Sequence, residues 1–308
     1  MPVVVTGSAG FIGRHLVRAL ARRGHEVVGV DRRGGTPPEA VELLTDLAAP
    51  GVAAREALAS AEAVWHLAAI PGVRGRGREI DRRRRSINVD AAAMLMGHVP
   101  LDVPLVVTSS SSVYGGVPAA GLRPFREDDP LAPRGGYARS KAALEGLCAR
   151  RAEAGGRVAI ARPFCVAGPG QRPDMAIARW LSAAAAGESL RLFGSPDRVR
   201  DVTDVADVVE GLVRMVEREV DGAVNLGSGQ PRRIVDVART AAQVVGRRPS
   251  FVLEPGSMDE VDATLADTTR ARALLGIEPN LDLEDVVSRQ AADLGLVERP
   301  RSPRRAVA

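Results

Sequence analysis

The chain has 308 residues, 45% hydrophobic and 26% charged, a balance that excludes wholesale disorder and fibrous architectures. Basic and acidic residues are interspersed, and a net charge of +4 with only 3% aromatics gives none of the basic, stacking surface that nucleic acid requires. Two cysteines, Cys148 and Cys165, are too few for a disulfide framework or a structural zinc site; no apolar run reaches the roughly 20 residues of a membrane span, and MPVVVTGSAG is no basic leader, so a cytoplasmic protein without metal or membrane is expected.

Short apolar runs at 3–5, 27–30, 63–67, 105–108 and 158–161 alternate with amphipathic stretches, the first at 11–22. This rhythm predicts βαβ units and a doubly wound parallel sheet of the Rossmann type, covered by helices on both faces. After about residue 165 the pattern changes to a Gly/Pro-rich loop at 167–173, a helix at 175–186 and short strands such as 190–193. The organisation expected is a dinucleotide-binding domain over 1–165, a smaller α/β substrate lobe over 166–297, and a flexible tail, ERPRSPRRAVA, over 298–308. The segments 201–217 and 223–226 are expected to return to the main sheet.

In VVVTGSAGFIG an apolar strand runs through a glycine-rich turn into a helix. Gly7, Gly10 and Gly13 would serve the tight turn, the close approach of a pyrophosphate and the packing of helix on strand, with the phosphates on the helix N-terminus. Asp31 closes the next strand, about 20 residues on, where a carboxylate accepts hydrogen bonds from a ribose. That favours NAD over NADP, although Arg32 or Arg33 could turn to a 2′-phosphate and Asp31 could simply cap its turn. The run Arg82-Arg83-Arg84-Arg85 reads as a solvated face near a helix start, and His66 as a strand-end packing residue.

YARSK at 137–141 holds one of two tyrosines and the only lysine of the chain. Tyr137 and Lys141 are four residues apart, on one face of a helix. A cation nearby favours phenolate, and an ammonium is a compact donor that can also reach ribose hydroxyls. Upstream, VVTSSSSVYG is a buried strand opening into hydroxyls, one of which could bind a substrate oxygen while Tyr137 exchanges the proton.

From about residue 3 to 294 the chain resembles the extended short-chain dehydrogenase/reductase superfamily, in its nucleotide-sugar epimerase and dehydratase branch. The resemblance rests on TGxxGxxG, HLAA at 66–69, Asn88, SSSSVYG, YxxxK, Arg162-Pro163, GPGQRPDM at 168–175, and Arg200-Asp201 ahead of Thr203-Asp204-Val205. It implies Tyr137 as acid/base, Lys141 as its tuner and ribose anchor, and Ser110 as the hydroxyl partner. It also implies that Gly7, Gly10, Phe11, Ile12, Gly13, Asp31, Arg32, Asp46, Leu47, Leu67, Ala68, Ala69, Asn88, Ser109 and Pro163 line the cofactor, with Asp46-Leu47 at the adenine.

On the substrate side the resemblance implies Ser111, Ser112, Cys165 and Arg200, the last near the diphosphate of a nucleotide sugar. Dehydratases and decarboxylases of the family carry an acidic residue where Ser111-Ser112 stand, so both chemistries lose a functional group here. What remains is an NAD-dependent 4-epimerase, with an NAD(P)H-dependent ketoreductase as the alternative and a non-catalytic NAD-binding protein as a second class that the retained Ser110, Tyr137 and Lys141 oppose. Cys165 and Ala167 replace the Asn and Tyr usual in the family, and Gly256-Ser257-Met258-Asp259 lacks a second expected cation. Cys165 as a nucleophile lacks a nearby base. A homodimer through the helices at 88–99 and 137–152 completes what the resemblance implies.

Overall fold

The apolar runs form strands and the amphipathic stretches form helices, as their periods dictate. The computed structural model describes residues 1–72, 77–256, 261–279 and 282–298. The first half comprises β1 (Val3–Thr6), α1 (Phe11–Arg22), β2 (Val27–Asp31), β3 (Val41–Leu44), α2 (Val52–Ala59), β4 (Ala63–His66), α3 (Arg78–Arg85), α4 (Ala91–His98), β5 (Leu105–Thr108), α5 (Gly135–Glu153) and β6 (Val158–Pro163). The second comprises β7 (Cys165–Ala167), α6 (Ala176–Ala185), β8 (Leu190–Phe193), β9 (Val199–Asp204), α7 (Val205–Glu217), β10 (Gly222–Leu226), β11 (Pro231–Arg233), α8 (Ile234–Val244), β12 (Phe251–Glu254), α9 (Thr269–Leu275) and α10 (Leu283–Asp293).

Seven strands make one parallel sheet in the order β10-β6-β5-β4-β1-β2-β3. The order runs outward from β1 in both directions, so the crevice past the ends of β1 and β4 is the switch point where such a sheet takes its ligand. Successive strand residues face opposite layers. Val3, Val5 and Trp65 pack against Leu16 and Leu20 of α1 and Val208 and Leu212 of α7. Val4, Val64 and Val107 pack against Leu58, Leu95 and Leu144 of α2, α4 and α5. Each fully buried leucine contributes roughly 1.5–3 kcal/mol of burial energy. The Trp65 indole N–H donates to the Leu212 carbonyl at 2.8 Å, so its one polar atom is satisfied inside the layer.

The remaining strands make two small sheets, β11-β9-β7 and β12-β8, beside α6, α8 and α10, whose Trp180, Leu181, Val237 and Val286 share a separate core. Of the segments expected to rejoin the main sheet, α7 packs on α1 and β10 pairs with β6, but residues 201–204 lie in β9 of the small sheet. The reason is polar: Asp201 is fully buried, its carboxylate accepting from the Ser228 and Gly229 amides, the Ser228 hydroxyl and the Ala266 amide. A strand carrying that demand belongs at a junction of loops, where backbone donors are spare. No helix among the described residues is long and apolar enough to cross a membrane. Of the expected tail and of GSMD at 256–259, residues 299–308 and 257–259 lie outside the described residues.

Candidate active site

The glycine-rich turn sits at the mouth of the switch-point crevice. Gly7 has φ 72°, and a Cβ there would lie 2.7 Å from the Ala68 amide nitrogen; a Cβ at Gly13 would lie 2.0 Å from the Gly7 carbonyl oxygen. The first position therefore keeps the turn against the β4 loop, and the second keeps α1 against the turn. Helix α1 has no capping side chain and no acidic residue in its first turn, which leaves its leading N–H groups for an anion. These features fit a dinucleotide pyrophosphate.

Asp31 ends β2 beside that turn. One carboxylate oxygen accepts the Ala9 amide at 3.2 Å and the other the Arg33 amide at 3.0 Å, so Asp31 caps its own turn and braces the phosphate loop at once. Each oxygen keeps lone-pair capacity for a ribose hydroxyl. Sequence reasoning missed Glu42 on β3, which accepts the Gly35 and Thr36 amides at 2.9 and 2.8 Å. The Thr36 amide above all holds its carboxyl below the usual range. Two carboxylates, one at the end of β2 and one on β3, flank the 32–36 loop, where a 2′-phosphate would be repelled. Asp46 is exposed and accepts the Ala48 amide, while Leu47 is buried beneath it.

Tyr137 lies in the first turn of α5 and is half-buried. Desolvation raises its phenol above the ordinary value; the Ser110 side chain, through a hydrogen bond, and then the Arg84 and Arg172 guanidiniums pull it back. The Ser110 hydroxyl oxygen also accepts the Ser112 amide at 3.2 Å, which fixes the serine at the head of a short helical turn, 111–114. Ser111 and Ser112 follow at intermediate exposure, and the Ser112 Oγ is buried with no protein partner.

Lys141 is 3% exposed and donates to the Thr108 carbonyl at 2.7 Å, and burial pulls its ammonium down to about 8. Two cations outside the expected set, Arg84 and Arg172, also bear on the Tyr137 phenol. Arg84 belongs to the arginine run read as a solvated face. Arg82, Arg83 and Arg85 are exposed, but Arg84 is 2% exposed and donates to the Gly72 carbonyl and to Asp81. Arg172, in the GPGQRPDM loop, forks onto Asp174.

Asn88, 0% exposed, holds Ile70 by both backbone groups and donates to the Ser140 hydroxyl, so it fixes the 67–70 loop without facing the crevice. The Ser109 hydroxyl likewise turns inward, to Glu145. His66 is buried, its Nδ1 bonded to the Thr6 hydroxyl at 2.8 Å, and burial and then Lys141 hold it down to about 3, a neutral packing residue. Pro163 is buried at the end of β6. The other tyrosine, Tyr114, belongs to a buried network: its hydroxyl donates to Asn225 at 2.7 Å and accepts from Arg162 at 2.8 Å, and burial pushes it up to about 12.

Cys165, at the start of β7, is solvent-accessible, yet surrounding protein raises its thiol against the pull of Arg200. The Arg200 guanidinium donates to the carbonyls of Val199, Val261 and Asp262, which holds it over the 261–262 segment. Among the described residues no group of His, Cys, Asp and Glu side chains could hold a metal ion.

Known proteins resemble this chain over nearly its whole length. The chain is 29% identical to the uncharacterised UDP-glucose epimerase YtcB of Bacillus subtilis, over 96% of this chain and 98% of that one. It superposes on MoeE5 in complex with UDP-glucuronic acid and NAD with a TM-score of 0.87 and 35% identity, covering 96% of this chain and 99% of that one. It superposes equally on UDP-glucuronic acid 4-epimerase from Bacillus cereus, in complex with UDP-glucuronic acid and NAD, with a TM-score of 0.88, 27% identity and the same two coverages, 96% and 99%. A sequence model described as NAD dependent epimerase/dehydratase family matches residues 3–227, and this chain belongs to that family.

Proposed function

We propose that this protein is an NAD-dependent 4-epimerase of nucleotide sugars, with UDP-glucuronic acid as its substrate. The observation that carries the reading is the meeting of Tyr137, Ser110 and the glycine cradle at one end of the sheet with no acidic side chain at 111–112. Such a site can move one proton and orient one carbinol. It has no second acid or base there for elimination or decarboxylation.

When bound, NAD supplies a reversible hydride acceptor. Tyr137, as the phenolate, would accept the proton of the sugar 4-hydroxyl and return it to the same oxygen, so that no net proton is gained or lost over the turnover. The Ser110 hydroxyl holds that oxygen in place. Lys141 spends one of its three N–H donors on Thr108 and presents the others towards the cofactor ribose. Ser111 and Ser112 offer donors to the far end of the sugar, and the positive field of Arg84 and Arg172 suits an anionic one. Arg200 and Cys165 line the substrate side. The exposed Ala93, Met94 and Gly97 of α4, beside α5, form the face on which two copies would meet. The two free cysteines suit a reducing, cytoplasmic setting. Residues 1–165 with α7 and β10 act as the dinucleotide-binding domain and the rest as the substrate lobe.

The test is to denature the purified protein and identify the dinucleotide released, then to follow UDP-glucuronate to its 4-epimer. Retained NAD near one per chain and epimer formed without added cofactor are expected. An empty protein that consumes NADPH would establish the ketoreductase instead. Tyr137→Phe should lower turnover on the order of a hundredfold or more while leaving bound NAD in place, and turnover within a few-fold of wild type would reject the mechanism.

A further inference from the structure

A buried guanidinium needs a purpose, since its desolvation is costly and its contacts must return that cost. Arg84 is the one member of its run that turns inward. Its Nη2 donates to the Gly72 carbonyl at 2.5 Å, in the loop that follows β4, and its Nη1 donates to Asp81 Oδ1 at 3.2 Å. Asp81 in turn presses on the start of α5: a Cβ at Gly136 would stand 1.7 Å from Asp81 Oδ1, so the carboxylate fills the space that a side chain would need. The first turn of α5 has no acidic residue and no capping side chain of its own, and the Asp81 carboxylate stands where the helix dipole favours an anion.

One helical turn further on, Asn88 makes the second half of the clamp, joining Ile70 to Ser140, whose hydroxyl donates to the Tyr137 carbonyl. Asn88 itself sits in a wide π-type turn, residues 86–90, a local device that re-aims side chains and recurs at functional sites. The loop that lines the cofactor and the helix that carries the phenol are therefore fastened to each other through Arg84 and Asn88.

We propose that Arg84 is a positioning residue of the active site, locking the loop after β4 to the start of α5 and setting a fixed positive charge beside Tyr137. The assignment rests on the epimerase reading for its catalytic meaning and its kcat arm, whereas the titration arm stands independently of it. The groups facing Tyr137 are Ser110 from the head of the 111–114 turn, Arg84 from α3 and Arg172 from the GPGQRPDM loop; Lys141 on its own helix is held at Thr108. Arg172 is shared with Asp174 at the surface; Arg84 is shared with Asp81 but is held in place by its burial.

The experiment uses the NAD-loaded protein with Tyr114→Phe as background, so that Tyr137 is the single phenol of the chain and its ionisation is read as absorbance near 295 nm without any substrate. Arg84→Met should move the titration midpoint upward, and Arg84→Lys, which keeps a cation, should leave it near the parent value. In otherwise wild-type protein, Arg84→Lys cannot bridge Gly72 and Asp81 together and should lower kcat on the order of tenfold with little change in KM. A midpoint unmoved in Arg84→Met overturns the charge assignment, and an unchanged kcat in Arg84→Lys overturns the positioning one. If the epimerase reading itself fails, turnover is absent in every variant, yet the titration still decides.

Discussion

Replacing Arg162 with Met would break the buried pair behind the active site. Arg162 donates from Nε and Nη2 to the two oxygens of Glu145 at 3.0 and 2.7 Å, with 6% and 7% of the side chains exposed. It also donates to the Tyr114 hydroxyl at 2.8 Å and the Glu127 carbonyl at 3.0 Å, and its guanidinium lies 5.0 Å from the centre of the Tyr114 ring. Without it Glu145 keeps only the Ser109 hydroxyl as a hydrogen-bond partner and stands as a buried carboxylate with the Lys141 ammonium nearby but not bonded to it. Breaking one partner of such a pair costs about 3–5 kcal/mol. Over a guanidinium chloride slope on the order of 6 kcal/mol/M for a chain of this size, about 4 kcal/mol moves the unfolding midpoint down by about 0.7 M. The double variant Arg162→Met, Glu145→Leu should recover part of the loss, since the stranded charge is gone. It should not recover all, because the Ser109, Tyr114 and Glu127 groups that faced the pair each lose a partner worth about 1 kcal/mol. A midpoint shift below about 0.2 M in the single variant, or strict additivity of the two singles, would refute the reasoning.

Gly13→Ala puts a methyl group 2.0 Å from the Gly7 carbonyl oxygen, a backbone atom that cannot step aside. The purified variant should carry at most a tenth of the wild-type NAD, a loss of about 1.4 kcal/mol or more in binding, and full occupancy would contradict the close-packing account. His66 is held down to about 3, against an ordinary value near 6.5 when unfolded. The unfolded chain therefore takes up a proton below about pH 6.5 that the folded chain refuses. The contribution is whole above that pH and is lost as pH falls towards 3, about 5 kcal/mol in total. His66→Asn should flatten the fall in urea midpoint between pH 6.5 and 4, and parallel curves for the two proteins would exclude His66 as the source.

The phosphate loop was legible because every part of it is local: an apolar strand, three glycines and an amphipathic helix lie within 20 residues. Tyr137 and Lys141 were legible for the same reason, one turn apart on one helix. What the sequence hid depends on partners far along the chain. Nothing within RRRR marks Arg84 as the inward member; that is fixed by the Gly72 carbonyl, 12 residues away, and by the absence of a side chain at Gly136. The division of labour between the tyrosines was hidden too, because the partner of Tyr114 is Asn225, 111 positions on. Residues 201–204 looked like another strand of the main sheet, and only the loop donors gathered around Asp201 place them elsewhere. Glu42 escaped notice because β3 is an edge strand with most of its side chains outward, so its pattern carries no apolar period.

The one lysine has a practical consequence. Where most proteins scatter ε-amines over their surface, this chain holds a single one, 3% exposed on α5 and drawn down to about 8. At mildly alkaline pH a useful fraction of it is the free base, and an acylating or reductive-alkylating reagent small enough to enter finds no competing side-chain amine. Mass added at Lys141 then counts open sites directly, and its suppression by a dinucleotide becomes an occupancy measurement that needs neither turnover nor a labelled ligand.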